Sequence, residues 1–365
     1  MGEEQRIRGI EGARAWLAWT VVASHILAAV GPGFPGVLTL GAAADQAVLV
    51  FIVVCGFVIT HLILTDCEPY PLFIARRLLR IYPVYLVCLA LGIWTAFTFG
   101  AAAPAPGTFV PQLLAHLLLL HGAIPGEWLQ KSPSVFLSPA WTLSVEWQFY
   151  LVAPLVLVLL RRPAGRFAML FLVGLGMIAC QRHLLGAFYL PSILPGAGAE
   201  FALGIATRLA LDRLPRFDSM PAAVVGPALA LIVLLPHLAY LGIWVVLVAY
   251  IRLRPEALAA PRLTARVARV LLDGSWVRAG GRRSYAVYLL HAPVVAFATP
   301  IVARIPHLAR STELLALGAI AIALTAVGSE LLHRFVEQPA IAFGRRLGRR
   351  PVPAATRIAS PQPAE

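Results

Sequence analysis

The chain has 365 residues, 59% of them apolar and only 13% charged, with a mean hydropathy of +0.81. Those values exclude an ordinary soluble globular domain. The net charge of +13 would suggest nucleic acid as a partner of a soluble protein; in so apolar a chain, anionic lipid headgroups account for it, and no nucleic-acid partner is expected.

Residues 1–13 are charged, and the first apolar run lacks a small-residue cleavage pattern, so that run is expected to stay as an anchor. Ten apolar runs bounded by charge or by Pro and Gly read as candidate spans, several of them short, near 16–31, 45–64, 81–99, 144–160, 167–187, 193–211, 220–236, 238–251, 284–303 and 313–333. The basic residues are 29 arginines and Lys131. If the N-terminus is cytoplasmic, 26 of these 30 fall on the cytoplasmic side, leaving Lys131, Arg182, Arg304 and Arg310 outside. The positive-inside rule therefore predicts an all-α polytopic bundle of about ten transmembrane helices with both termini cytoplasmic. Residues 110–123 are too short for a span, and a crossing there would invert the basic loop at Arg161–Arg166. They read as a re-entrant or interfacial half-helix on the outer side, with His116 and His121 as interface or loop residues. Residues 1–350 form the transmembrane domain; 351–365, rich in Pro, Ala and Ser, read as a disordered cytoplasmic tail. Cys55, Cys67, Cys88 and Cys180 lack metal-ligand spacing and lie mostly within spans, which predicts neither disulfides nor a metal site.

The chemistry-bearing residues begin in the first span. Arg14 and His25 are eleven residues apart, three helical turns plus about 20°, so they share a face about 16 Å apart. An ionisable side chain deep in a bilayer faces protein or an aqueous cavity. The histidine exchanges protons near neutral pH, and the arginine below it holds an anion. The pair predicts an anionic donor entering from one side and proton transfer within the membrane. Arg77 and Arg80, one turn apart before the third span, extend the cationic mouth. Arg76 lies about 100° away from Arg77 and is expected to face headgroups. Glu146 near the fourth span either joins the chemistry or caps its helix. Arg262, Arg266 and Arg269 line a possible surface-lying amphipathic helix. Glu200 and Glu330 need partners within spans. Trp141, Trp147 and Tyr150 read as an outer aromatic belt. His291 is either a helix–helix hydrogen-bonding residue or part of the site.

Five stretches occur in a fixed order: IRGIEGARAWLAWTVVASHI, FIVVCGFVIT, FIARRLLRIYPVYL, SPAWTLSVEWQFYLVAPLVL, and SYAVYLLHAPV followed later by HRFVEQPAI. Together they resemble the membrane-bound acyltransferase 3 family, from about residue 6 to 347. Members of that family O-acylate glycans, lipid-linked sugars and some antibiotics. The resemblance implies an acyl-CoA donor (acetyl-CoA above all), a carbohydrate-type acceptor, and a bacterial-type cytoplasmic membrane. By motif it implies Arg14 and His25 as the family's arginine–histidine pair, Arg77 and Arg80 as its paired arginines, and Glu146 as the acid of Trp-x-x-Ser-x-Glu. Two positions depart from the usual form: Cys55 replaces the serine before Gly-Phe, and Leu49 stands where many members have Asp, with Asp45 a candidate substitute.

Transfer from a thioester to a hydroxyl needs proton removal and an oxyanion stabiliser. His25 suits the first task, with Glu146 as the carboxylate that could orient it. Transient acylation of His25 itself is the other route. Outside enzymology, the same residues would suit a proton-coupled transporter or flippase of an anionic substrate, although no internal repeat supports it.

Overall fold

The computed structural model describes residues 7, 9–31, 33–66, 68–188, 190–254, 256 and 263–347; Cys67, Arg262 and the tail at 351–365 lie outside the described residues. In chain order the helices are α1 (Ile10–Val30), α2 (Val37–Asp66), α3 (Tyr70–Phe99), α4 (Phe109–Leu117), α5 (Trp141–Leu159), α6 (Pro163–Gln181) and α7 (Gly198–Ala210). They continue with α8 (Ala222–Leu234), α9 (Ala239–Ile251), α10 (Leu263–Asp273), α11 (Ser275–Val302), α12 (Arg310–Leu332) and α13 (Gln338–Arg346). Among the described residues the sole extended pairing is a lone bridge between Phe217 and Leu253. Such a chain has little choice: in lipid each backbone N–H and C=O must be satisfied within its own segment, which a helix does.

Among the described residues, seven helical stretches are long and apolar enough to cross a bilayer: those containing α1, α2, α3, α5, α6, α10–α11 and α12–α13. The other three expected spans coincide with α7, α8 and α9, of 13 residues each. Thirteen residues rise only about 20 Å, against a hydrocarbon core of about 30 Å. Tight 3₁₀ turns at Leu194–Ala197 and Leu211–Arg213 extend α7 into one continuous helical stretch, and another at Pro236–Leu238 extends α9.

α1 lies along α11, and α2 lies along α7. The backbones approach so closely because glycine occupies the crossing points. A Cβ on Gly281 of α11 would sit 1.8 Å from the Glu11 carbonyl oxygen, and one on Gly204 of α7 would sit 2.2 Å from that of Val53. Small residues at helix crossings are the usual means of packing where lipid offers no hydrophobic driving force. α1 and α11 run in the same direction, since Glu11 meets Gly281 near their starts and His25 meets His291 further along. α6 is peripheral, with no buried residue.

α4 folds back along α3. Its first residue, Phe109, packs against Phe97 near the C-terminal end of α3 (ring centroids 5.5 Å apart). Its last carbonyls, on His116 and Leu117, accept hydrogen bonds from Tyr85 (3.0 Å) and Tyr82 (2.7 Å), midway along α3. Those tyrosines supply the donors that a helix C-terminus inside the membrane would otherwise lack. The chain then turns through Leu119, whose φ of 55° is unusual for a side chain with a Cβ. Ser144 of α5 closes the turn, donating to the Leu119 carbonyl (2.8 Å) and accepting from the Gly122 amide (3.1 Å). His116 lies near the end of α4 and His121 in the turn that follows, but neither is at a surface: both are fully buried, with their rings stacked 4.1 Å apart. The fold brings them inside the bundle, a placement their local sequence does not encode.

Candidate active site

The site assembles where α1, α3, α5, α11 and the C-terminal helices meet. Arg14 sits one turn into α1, within Coulombic range of Arg80, Glu146, Glu337 and Tyr150. Arg77 of α3 lies within range of Tyr150, Arg80, Glu68 and Glu146, with its guanidinium carbon 5.7 Å from the centre of the Phe73 ring. Arg14, Arg77, Arg80 and Glu146, which the sequence nominated separately, therefore share one cluster. The Nε atoms of Arg14 and Arg77 are buried and have no hydrogen-bond partner among the described residues. Two buried, unanswered guanidinium N–H groups are expensive unless an acceptor arrives to meet them. An anionic ligand fits this donor set.

Glu146 accepts a hydrogen bond from the Tyr150 hydroxyl, one turn along α5, and a weaker one from the Cys55 thiol of α2 at 3.5 Å. Cys55 thus keeps the donor function that a serine hydroxyl would have at the same position. Glu146 does not cap its helix: α5 begins at Trp141, and the carboxylate bonds to side chains rather than to backbone amides. Tyr150 is buried beside it, not in an aromatic belt, and Trp141 and Trp147 are partly buried against the core. Asp45 is exposed on α2, about 15 Å along the helix from Cys55.

His25 is placed differently. Among the described residues its hydrogen-bond partner is His291 of α11, with His25 Nδ1 2.7 Å from His291 Nε2. The place beside His25 that triad logic would give to a carboxylate is taken by an imidazole, while Glu146 belongs to the arginine cluster below. His291 is fully buried, and His25 is half-buried. The second nitrogen of His291, Nδ1, lies 3.2 Å from the Val287 carbonyl oxygen one turn back.

Arg76 does not face headgroups. Its Nε and Nη2 donate to the carbonyls of Gly344 (3.1 Å) and Leu347 (3.0 Å) at the end of α13, and Nη1 pairs with Glu68. The arginine thereby satisfies orphan carbonyls of a helix C-terminus. Glu330 is paired with Arg283. Glu200 stands in the first turn of α7, where the helix dipole favours a carboxylate. α10, with Arg266 and Arg269, is a separate helix fixed to α1 through the Asp273 carboxylate on the Gly9 amide (3.0 Å) and the Trp16 indole on the Leu271 carbonyl (2.8 Å). Cys55, Cys88 and Cys180 are free thiols.

One part of the site escaped the sequence reading. Residues His333–Glu337 form a π-helical turn between α12 and α13, an irregularity found mostly at functional sites. It buries Glu337, which pairs with His333 (2.8 Å) and reaches the field of Arg14. The signal was the i, i+4 spacing of His333 and Glu337 within HRFVEQPAI, which by itself reads as an ordinary helical pair.

Known proteins resemble this chain along most of its length. The Acyltransferase domain family (Acyl_transf_3) matches residues 7–331. Acyltransferase MdmB of Streptomyces mycarofaciens is 28% identical over 396 residues, covering 98% of this chain and 96% of MdmB. O-acetyltransferase OatA of Staphylococcus aureus is 24% identical over 393 residues, covering 91% of this chain but 56% of OatA. An uncharacterised protein of Haemophilus influenzae is 28% identical over 138 residues, 34% of this chain and 54% of its own. No solved structure gives a significant match. With a family match running nearly end to end, the chain is an acyltransferase and belongs to the membrane-bound acyltransferase 3 family.

Proposed function

We propose that the protein is a membrane O-acyltransferase that moves an acyl group, acetyl in the first instance, from acyl-CoA to a hydroxyl of a sugar or glycan-type acceptor. The observation that carries this reading is the pair of buried guanidinium N–H groups on Arg14 and Arg77 without a partner among the described residues, Arg14 lying about three turns from His25 on α1. Phosphates of a CoA-type donor supply the acceptors those groups lack, with Arg80 adding charge. An extended thiol arm then spans the roughly 16 Å from Arg14 to His25 along α1. At that level His25 is the general base for the acceptor hydroxyl. Glu146 and Glu337 lie in the field of Arg14, so its charge is not set down without a carboxyl group nearby. The transferase activity named for OatA supports acetyl as the group moved and oxygen as its destination.

The same reading carries a topology: ten spans, counting α7, α8 and α9 through locally thinned or tilted packing, with both termini cytoplasmic. The asymmetric arginine distribution supports it, and so does the re-entrant course of α4, which keeps Arg161–Arg166 on the same side as Arg76–Arg80. The membrane is then the cytoplasmic membrane of a bacterial-type cell.

The test is acetyl-CoA consumption by purified full-length protein, wild type against His25→Ala, with free thiol as the readout. A general base contributes about 10²–10⁴-fold, so the variant should lose nearly all activity while keeping its expression and melting profile. More than about one tenth of wild-type activity in His25→Ala would remove the histidine from the chemistry. A wild-type protein that never consumes acetyl-CoA, but moves an anionic substrate across vesicles, would favour a transporter instead.

A further inference from the structure

We infer that His291 is the positioning residue of the acyl-transfer site: it fixes the tautomer of His25, so that Nε2 of His25 is the nitrogen that takes the proton. The inference rests on the general-base role proposed for His25 and adds a residue 266 positions away to the reaction.

The hydrogen-bond network makes the assignment. His291 is fully enclosed, and its Nδ1 faces the Val287 carbonyl oxygen at 3.2 Å. A carbonyl oxygen only accepts, so Nδ1 carries the proton. In a neutral imidazole the other nitrogen is then an acceptor, and His291 Nε2 presents its lone pair to His25 Nδ1 at 2.7 Å. His25 therefore donates from Nδ1, and its Nε2 is left with a free lone pair. The opposite assignment would set the Nδ1 lone pair of His291 against the Val287 oxygen at 3.2 Å, too close for a water to stand between them. Nε2 of His25 has no partner among the described residues and, unlike the Nε atoms of Arg14 and Arg77, is not among the enclosed orphan atoms. It is the open face of the pair.

The chemistry follows in balance. The acceptor hydroxyl gives its proton to Nε2 of His25 as its oxygen attacks the thioester carbonyl carbon. A C–O bond forms, and the carbonyl electrons move to oxygen. When the oxyanion collapses, the C–S bond breaks, and the leaving thiolate recovers the proton from His25 Nε2–H as free thiol. While His25 is an imidazolium, its Nδ1–H bond to His291 becomes charge-assisted and strengthens, which is stabilisation realised in the transition state. A carboxylate could do the same, but at this depth it would bring its own buried charge and need its own counter-ion. A neutral imidazole avoids that, and α11 can supply it because Gly281 lets the two helices touch.

The test uses three substitutions in the purified full-length chain, with acetyl-CoA as donor and a simple hexose in excess as acceptor. The amide oxygen of glutamine reaches the position of histidine Nε2, that of asparagine only the position of Nδ1, and leucine offers neither. His291→Leu and His291→Asn should lower kcat by a hundredfold or more with KM for acetyl-CoA within threefold of wild type. His291→Gln should recover at least tenfold over His291→Asn. Thermal melting of all three reports folding, and if leucine fails to fold, the glutamine–asparagine contrast decides alone. Equal activity in the glutamine and asparagine variants, or wild-type activity in the leucine variant while His25→Ala is dead, overturns the inference and leaves the proposed function standing. An active His25→Ala overturns both.

Discussion

Gly281→Ala is the sharpest perturbation that the helix packing offers, because it adds one methyl group far from every reacting atom. The new Cβ would lie 1.8 Å from the Glu11 carbonyl oxygen, where real Cβ contacts essentially never fall below 3.0 Å. Both partners are backbone, so no side chain can rotate away, and α1 and α11 must separate by about 1.2 Å at least. Carried along the helices as a rigid shift, that displacement lengthens the His25–His291 contact from 2.7 Å to about 3.9 Å, beyond hydrogen-bond range. Overpacking of this kind costs about 1–3 kcal/mol in stability. The neighbouring Gly280 is the matched control: its Cβ would meet that of Ala15 at 3.3 Å, a contact relieved by a few tenths of an ångström. We expect Gly281→Ala to melt lower and to lose at least tenfold in acetyl-CoA turnover, with Gly280→Ala close to wild type in both. Full turnover in Gly281→Ala, or an equal loss in Gly280→Ala, would refute the link between this crossing and the histidine pair.

Arg14→Lys should weaken acetyl-CoA binding by about tenfold and Arg14→Ala by more, because lysine keeps the charge but loses the planar fork that grips two phosphate oxygens; isothermal titration would read both. Arg76→Ala should instead leave donor affinity within threefold and lower the melting temperature, since Arg76 satisfies the Gly344 and Leu347 carbonyls and each buried bond of that kind is worth about 1–3 kcal/mol when its partner is stranded. Single cysteines at positions 164 and 214 should be labelled by a membrane-impermeant thiol reagent only from the cytoplasmic side, and labelling of position 164 from outside would show that residues 110–123 cross completely.

What could be read in advance followed from local periodicity. Arg14 and His25 lie on one helix, and their shared face is arithmetic. Arg77 and Arg80 are one turn apart, and the long spans announce themselves by hydropathy. The partner of His25 could not be found this way: His291 lies 266 residues away, and only the glycine crossing of α1 and α11 makes them neighbours. Glu146 looked like that partner because triads favour carboxylates, yet its hydrogen bonds go to Tyr150 and Cys55 in the level of the arginines. His116 and His121 sit in an apolar run too short to span, which reads as a re-entrant or interfacial half-helix with its histidines at an interface or in a loop; only the Tyr82, Tyr85 and Ser144 that α3 and α5 supply show that it is received inside the bundle. Arg76 resembled a headgroup charge because its acceptors are backbone carbonyls, which leave no mark on a sequence.

The carboxylates beside Arg14 carry a consequence for turnover. Glu146 and Glu337 already lie in the field of the guanidinium, so the phosphates of the proposed donor would not enter a bare cationic well. Under the proposed function they would share that field with two tethered carboxyl groups that cannot diffuse away. Affinity would thereby be capped, and the spent carrier would meet competitors for the arginines as its grip loosens. An enzyme whose first and last steps involve the same polyanionic handle needs such a device, since a site that held the donor as tightly as three unopposed arginines allow would also hold the product. On that proposal the two acids would set the tempo of release, and neutralising either one would trade a tighter complex for a slower cycle.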